Sequence, residues 1–185
     1  MQRHLIELLQ NHVPADKTEE EHRENTLGFV SRTPNCASRE TLSGHVTASA
    51  WILSPDLNAV LLTHHKKLGR WLQLGGHVED DVSIQAAALR EAREESGISR
   101  MDLLDEALFD IDVHLIPERK STPAHYHYDC RFLMVAGDRD FVVSPESNDL
   151  AWLDLAKIPE SHADDSIVRM QLKTGTFLKR IGTLL

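Results

Sequence analysis

Cysteine is scarce in this chain, and long apolar runs are missing from it. Only Cys36 and Cys130 occur among 185 residues. They lie far apart and in no metal-like spacing, which argues against a disulfide framework and for a reducing, cytoplasmic setting. No apolar run approaches membrane-spanning length. Glu7 interrupts the apolar stretch of MQRHLIELLQNH, so no secretory signal peptide is read there. Positive charge is also short, with 20 Lys and Arg against 29 Asp and Glu for a net −9. Such a chain is not expected to form a stable nucleic-acid complex or to lie on an anionic membrane, because both partners are polyanions. A nucleotide pocket stays open, since a bound divalent cation reverses the field locally. Internal repeats and low-complexity segments are absent as well, and nothing in the sequence speaks to the oligomeric state.

The length and 41% hydrophobic content suit one domain with a sizeable core. Leu5, Ile6, Leu8 and Leu9 show a short helical pattern ended by Pro14. Asp16 and Glu19 have capping-box spacing for a second helix running to about Arg32. The runs from His45 and from Ala59, parted by Pro55-Asp56-Leu57-Asn58, predict a hairpin. Trp71 to Leu74 reads as a short strand entering a turn at Gly75-Gly76, and Ile84 to Leu89 open a helix with an apolar side. Residues 103–116 and 125–136 read as two longer strands, Leu150 to Leu153 as a last one, and 164–180 as a closing helix. Helices flanking a mixed sheet are therefore expected, with residues 1–43 as a helical extension and 44–185 as the main domain.

The densest chemistry lies in residues 76–98, GHVEDDVSIQAAALREAREESGI. Glu91 and Glu95 are one helical turn apart and Glu94 is at i+3 from Glu91, so three carboxylates converge. Like charges at these spacings destabilise a helix by a few tenths of a kcal/mol per pair, which a hard cation such as Mg²⁺ between them would offset. A solvated charged face is the plainer account of such a segment.

The stretch resembles the Nudix box, G-x5-E-x7-R-E-U-x-E-E-x-G-U with U a bulky aliphatic residue. Gly76, Arg90, Glu91, Glu94, Glu95, Gly97 and Ile98 fall in register, and Ala92 is a small U. Val82 stands where the first Glu belongs, after Glu79, Asp80 and Asp81. The resemblance implies a Nudix-type α/β/α sandwich with a mixed sheet. It also implies Mg²⁺ or Mn²⁺ held by Glu91, Glu94, Glu95 and the Gly76 carbonyl. Glu94, Glu95 and Arg90 would be the catalytic set, the arginine ordering the carboxylates. In that family the first Glu orients the arginine, so Val82 predicts that Glu79 or Asp81 contacts Arg90 or a metal-bound water instead.

Histidines make a second constellation. His125 and His127 alternate on a predicted strand and share a face, His45 opens the first core strand, and His77 follows Gly76. In order these positions are similar to the divalent-metal ligands of the isopentenyl diphosphate isomerases, with His in place of Glu twice. That likeness implies a second metal site, for which four imidazoles suit a transition metal such as Zn²⁺. Structural hydrogen bonding, or donation to a substrate phosphate, is the alternative for these residues. Gly75 stands where the isomerases have a cysteine, and His127 where they have a catalytic glutamate.

Other residues are read mainly as structural: Trp71 and Trp152 as core or pocket-rim aromatics, Lys66, Lys67 and Arg70 as exposed cations able to steer phosphate, and Cys130 as buried. Glu146 is a candidate distal base. The reading is a metal-dependent hydrolase of a phosphoanhydride in a nucleoside diphosphate linked to another group, acting on a small-molecule nucleotide or other diphosphate. Its rivals are a non-catalytic ligand-sensing or interaction module on the same fold, favoured by Val82, and an isomerase-like enzyme using the histidines.

Overall fold

The structure is a computed structural model describing residues 1–66, 68–118, 122–145, 147–159 and 162–182. Its elements run α1 Gln2–Asn11, α2 Lys17–Arg32, β1 Gly44–Leu53, β2 Ala59–His65, β3 Arg70–Leu72, β4 Leu74–His77, α3 Ile84–Ser96, β5 Met101–Leu103, β6 Asp110–Ile116, β7 His125–Ala136, β8 Ser147–Asp154 and α4 Asp165–Arg180. The sheet is mixed: β1 runs parallel to β7 over ten residue pairs, and the other pairings are antiparallel. Among the described residues no helix is long and apolar enough to cross a membrane.

Alternation along β1 sorts the layers. Val46, Ala48, Ala50 and Ile52 face a core shared with Leu5 and Leu9 of α1, Phe29 and Val30 of α2, and Ile84, Ala87 and Ala88 of α3. Trp51 and Leu53 face Ile167, Met170 and Leu178 of α4. The sheet is thus sandwiched between α1–α3 and α4, and the first two helices share the sheet's main core.

Two strand expectations need correction. The Trp71–Leu74 strand is split at Gln73. Because β1 and β2 pair at only Ile52↔Leu61 and Leu53↔Val60 and then diverge, the chain fills the fork, β3 against β2 and β4 against β1. Gly75 and Gly76 continue the strand rather than turning. The 103–116 strand is likewise two, β5 and β6 on one edge of β7, joined by a loop whose Leu108 is buried and whose carbonyl bonds His12 Nδ1 at 3.0 Å. Local β propensity runs through both breaks, and only the pairing partners decide them.

Asp16 caps α2 by accepting from the Glu19 N–H at 2.8 Å, while Glu19 Oε2 accepts from the Ala15 N–H at 2.6 Å. The rest of that carboxylate is buried against His12 Nε2, at 2.8 Å, and Lys173 of α4. Burial pushes the Glu19 carboxyl up, but hydrogen bonds from His12, Ala15 and Lys173, with the charge of Lys173, outweigh it and hold the group well below its usual range. A depressed carboxyl stabilises the fold above its unfolded pKa and loses that contribution as pH falls. Wild type is therefore expected to lose stability below about pH 4.5 more steeply than Glu19→Gln, as denaturant titrations at pH 7 and pH 3.5 will read. Parallel curves for the two proteins would exclude Glu19 as the acid-sensitive group.

Candidate active site

Helix α3 starts where the Ser83 side chain accepts from the Ala86 N–H at 3.1 Å, and ends at Gly97, whose φ of 71° only glycine adopts readily. Between these caps Ile84, Ala87, Ala88 and Ala92 are buried, and small residues let the helix lie close on β4. Glu91 then lies against Gly76 and Glu95 against Gly75, with Glu94 tied to Glu91 through Arg90. Glu95 is 8% exposed and its Oε2 accepts from the Gly75 N–H at 3.2 Å.

Arg90 organises this cluster. Its Nη1 donates to Glu91 Oε1 and Glu94 Oε2, each at 3.0 Å, and its Nη2 donates to the His77 carbonyl at 2.9 Å. Asp81 Oδ2 accepts from Nε at 3.1 Å and from Nη2 at 3.0 Å. Glu79 instead pairs with Arg39 at 2.9 Å on the surface. Val82 is 88% exposed, so the carboxylate that the motif places at 82 is supplied one residue earlier. Partial burial disfavours the Arg90 charge, but bonds to Asp81 and Glu91 more than compensate and hold it firmly protonated. Asp81→Ala should lower kcat/KM about tenfold, and Val82→Glu in that background should recover most of it. Full activity of the single variant would remove Asp81 from this role.

The two glycines of β4 are needed for different reasons. A Cβ on Gly75, at φ 155°, would lie 2.6 Å from Ser49 Cα, a backbone atom that cannot move aside. A Cβ on Gly76 would first meet the Glu91 carboxylate, 2.5 Å from Cδ and 2.6 Å from both oxygens. Gly75→Ala is expected to cost on the order of 3 kcal/mol of stability. Gly76→Ala should leave stability nearly unchanged and depress activity by displacing Glu91. Denaturant unfolding set beside turnover separates the two, and equal stability losses would contradict this division.

The structure also brings the four sequence-selected histidines together. Ring centroids lie 5.0 Å apart for His45 and His77, 4.8 Å for His45 and His127, 5.1 Å for His45 and His125, and 5.3 Å for His125 and His127. Pairing explains this: β1–β7 register sets His45 opposite His127, and β1–β4 register sets Thr47 opposite His77. Burial, then the neighbouring His125 and Arg39, lower His45 to about 4. Burial, then His45, His114 and His77, lower His127 to about 3. Both rings are neutral at pH 7.

Sequence reasoning missed His114, 5.5 Å from His127 and held by Asp112 at 3.1 Å. It also missed Asp129, which accepts from Thr47, Ser49, Gln73 and Arg131. The signal was the period-2 series His125, His127, Asp129, Arg131 on β7, continued across the ladder by Asp110, Asp112 and His114 on β6.

Trp71 is half-buried against the α4-side core and stacked between His64 and His162, at 5.3 and 4.8 Å. Trp152 donates to the Arg139 carbonyl at 2.9 Å. Cys36 and Cys130 are unpaired and buried, and burial pushes both thiols up. Lys67 and Glu146 lie outside the described residues.

The NUDIX domain family model matches residues 44–171. A NUDIX-family hydrolase from Clostridium perfringens is 23% identical with a TM-score of 0.54, over 72% of this chain and 97% of that one. An Ap4A hydrolase of C. elegans, solved as a binary complex, is 17% identical at TM-score 0.54, over 73% and 98%. A UDP-X diphosphatase is 18% identical at TM-score 0.50, over 95% of this chain and 92% of that one, so that overlap reaches into the segment before residue 44. Identities this low compare folds and nothing finer. No curated protein sequence matches the chain.

Proposed function

This chain belongs to the NUDIX-domain family and is a Nudix hydrolase, and from that premise we propose that it cleaves the phosphoanhydride of a nucleoside diphosphate linked to another group. Water attacks one phosphorus, the P–O bond to the other phosphate breaks, and the products are a nucleoside monophosphate and the phosphorylated partner, with protons lost to solvent. The observation that carries this reading is the gathering of Glu91, Glu94 and Glu95 beside the Gly75-Gly76 strand, with Arg90 bound to two of them and locked by Asp81. An interaction module has little use for three converging carboxylates, and Asp81 takes the post that Val82 vacates.

The residues fit a hard divalent cation, Mg²⁺ or Mn²⁺. Every donor is oxygen, from three carboxylates and the Gly76 carbonyl, and the missing Cβ of Gly76 makes room for Glu91. When bound, such an ion supplies charge against the phosphate oxygens and makes the attacking water more acidic. Glu91 and Glu95 are the holders. Glu94, with its side chain 60% exposed, suits a further ligand or the group that orients water. Arg90 keeps the carboxylates in register, and Lys66 and Arg70 add positive charge ahead of β4. A nucleoside diphosphate linked to another group is the class to test first, the UDP-X diphosphatase sharing the fold over 95% of this chain. The two unpaired cysteines suit a reducing, cytoplasmic location.

The test is a panel of ADP-ribose, nucleotide sugars, dinucleoside polyphosphates and nucleoside triphosphates, run with Mg²⁺ or Mn²⁺ in ¹⁸O-labelled water. Release of a nucleoside monophosphate from a diphosphate-linked substrate, with label in one product phosphate, is expected. Turnover of triphosphates alone, to pyrophosphate, would overturn the substrate class.

A further inference from the structure

The face of the sheet turned away from α3 carries imidazoles that the carboxylate chemistry does not use. Side chains alternate along β4. Gly76 is turned to Glu91 on the helix side, so His77 points to the opposite face, where its ring meets His45 and His127. We propose that His45, His77 and His127 form a second metal site, for a first-row transition-metal ion of the Zn²⁺ class, with one coordination position left open.

The first argument is convergence. One ring nitrogen from each of the three lies within 4.8 Å of the others, and they come from three different strands, β1, β4 and β7, so the backbone ladders fix their mutual position. Tetrahedral bonds of about 2.0–2.1 Å place ligand nitrogens about 3.4 Å apart, so closing on an ion asks for side-chain shifts of less than about 1 Å.

The second argument is an unmet hydrogen-bonding demand. His45 is 3% exposed, and neither Nδ1 nor Nε2 has a hydrogen-bond partner. Buried polar atoms are almost always satisfied, and one that is not points to something the side chain was built to hold. An all-nitrogen set disfavours Mg²⁺ and suits Zn²⁺, Ni²⁺, Cu²⁺ or Fe²⁺.

The third argument is the surrounding shell. His125 Nδ1 lies 2.9 Å from the Pro123 carbonyl, which can only accept, so that nitrogen carries the proton. Beside His127, His114 Nδ1 lies 3.1 Å from Asp112 Oδ2. These bonds hold the two imidazoles that flank the trio and leave His45, His77 and His127 as the converging set. Three protein ligands leave a fourth position for water or a phosphate oxygen. His77 joins the two sites, its carbonyl held by Arg90 Nη2 and its ring among the imidazoles.

The experiment uses untagged full-length protein stripped by chelation and then titrated with Zn²⁺ or Co²⁺ alone, read by elemental analysis and by the visible spectrum of bound Co²⁺. One equivalent is expected, with the absorption of a nitrogen-ligated ion. His127→Gln and His77→Asn should each weaken Zn²⁺ at least about a hundredfold, the upper end of what losing a supporting hydrogen bond does. His114→Asn, outside the trio, should keep the equivalent. Glu91→Gln/Glu95→Gln should keep it too while losing Mg²⁺-dependent turnover, so that failure at this site and failure of the hydrolase reading are told apart. Stripped wild type that takes up neither ion at micromolar concentration, or folded His127→Gln and His77→Asn variants that retain it, would overturn the proposal. Should either variant fail to fold, the Co²⁺ spectrum of wild type decides: lack of nitrogen-ligand bands is as damaging as lack of binding.

Discussion

Glu95→Gln is expected to lower turnover at saturating Mg²⁺ by at least about a hundredfold while the protein stays folded. Glu95 is the most constrained of the three carboxylates. It sits at the last turn of α3, 8% exposed, with Oε2 accepting from the Gly75 N–H at 3.2 Å. Glutamine keeps the volume and can still accept that bond, so helix and strand remain together. What it lacks is the negative charge that a divalent cation needs, and the amide nitrogen that replaces one oxygen is no ligand for a hard ion. Turnover measured across Mg²⁺ concentrations, beside circular dichroism, gives the answer. Wild-type turnover in the folded variant would mean that the metal is held elsewhere.

The largest effect on stability is expected away from the site, at Asp110. This carboxylate is fully buried where β6 meets α4. It accepts from Arg169 Nε at 2.8 Å and Nη2 at 2.9 Å, from Arg131 Nη1 at 3.1 Å, and from Lys173 Nζ at 3.3 Å. Asp110→Ala leaves buried cations short of their common partner, and breaking such a cluster costs about 3–5 kcal/mol. For a chain of this size that lowers the melting temperature by about 10 °C or more. A loss of about 1 kcal/mol or less in urea unfolding would show that Asp112, Asp129 and Glu19 carry the charge without it. The cluster also serves the site. Arg131 donates to Asp129 at 2.8 Å, and Asp129 in turn accepts from Thr47, Ser49 and Gln73, which tie β1 to the fork that β4 fills.

How much of this was legible beforehand depends on the range over which each feature is decided. Helices α1, α2 and α4 lie within a residue or two of their sequence reading and α3 opens at the Ile84 read for it, because caps and apolar periodicity are local. The Glu91, Glu94 and Glu95 cluster was legible for the same reason, since i, i+3 and i+4 spacing is a property of one helix. β1, β2 and β7 were equally plain from their runs of β-branched and apolar residues. The breaks at Gln73 and at residues 104–109 were not. There the chain changes its pairing partner or loops out of a ladder, and neither event leaves a mark in alternation alone.

The sequence by itself determined the carboxylate helix, the apolar side that packs it on the sheet, and the alternation that puts His125 and His127 on one face. Each of these is a short-range consequence of helical or strand geometry. It also narrowed the partner of Arg90 to Glu79 or Asp81. Only the tertiary structure decided between them, because the choice rests on where the 78–83 loop crosses α3. It alone turned scattered histidines into one cluster, since the register of β1 against β7 and β4 is set by whole-strand pairing. It alone collected Glu19, Asp110, Asp129, Arg131, Arg169 and Lys173 into buried ion pairs. These residues come from four elements of the chain, and burial, which makes each charge depend on its partner, exists only once those elements have packed.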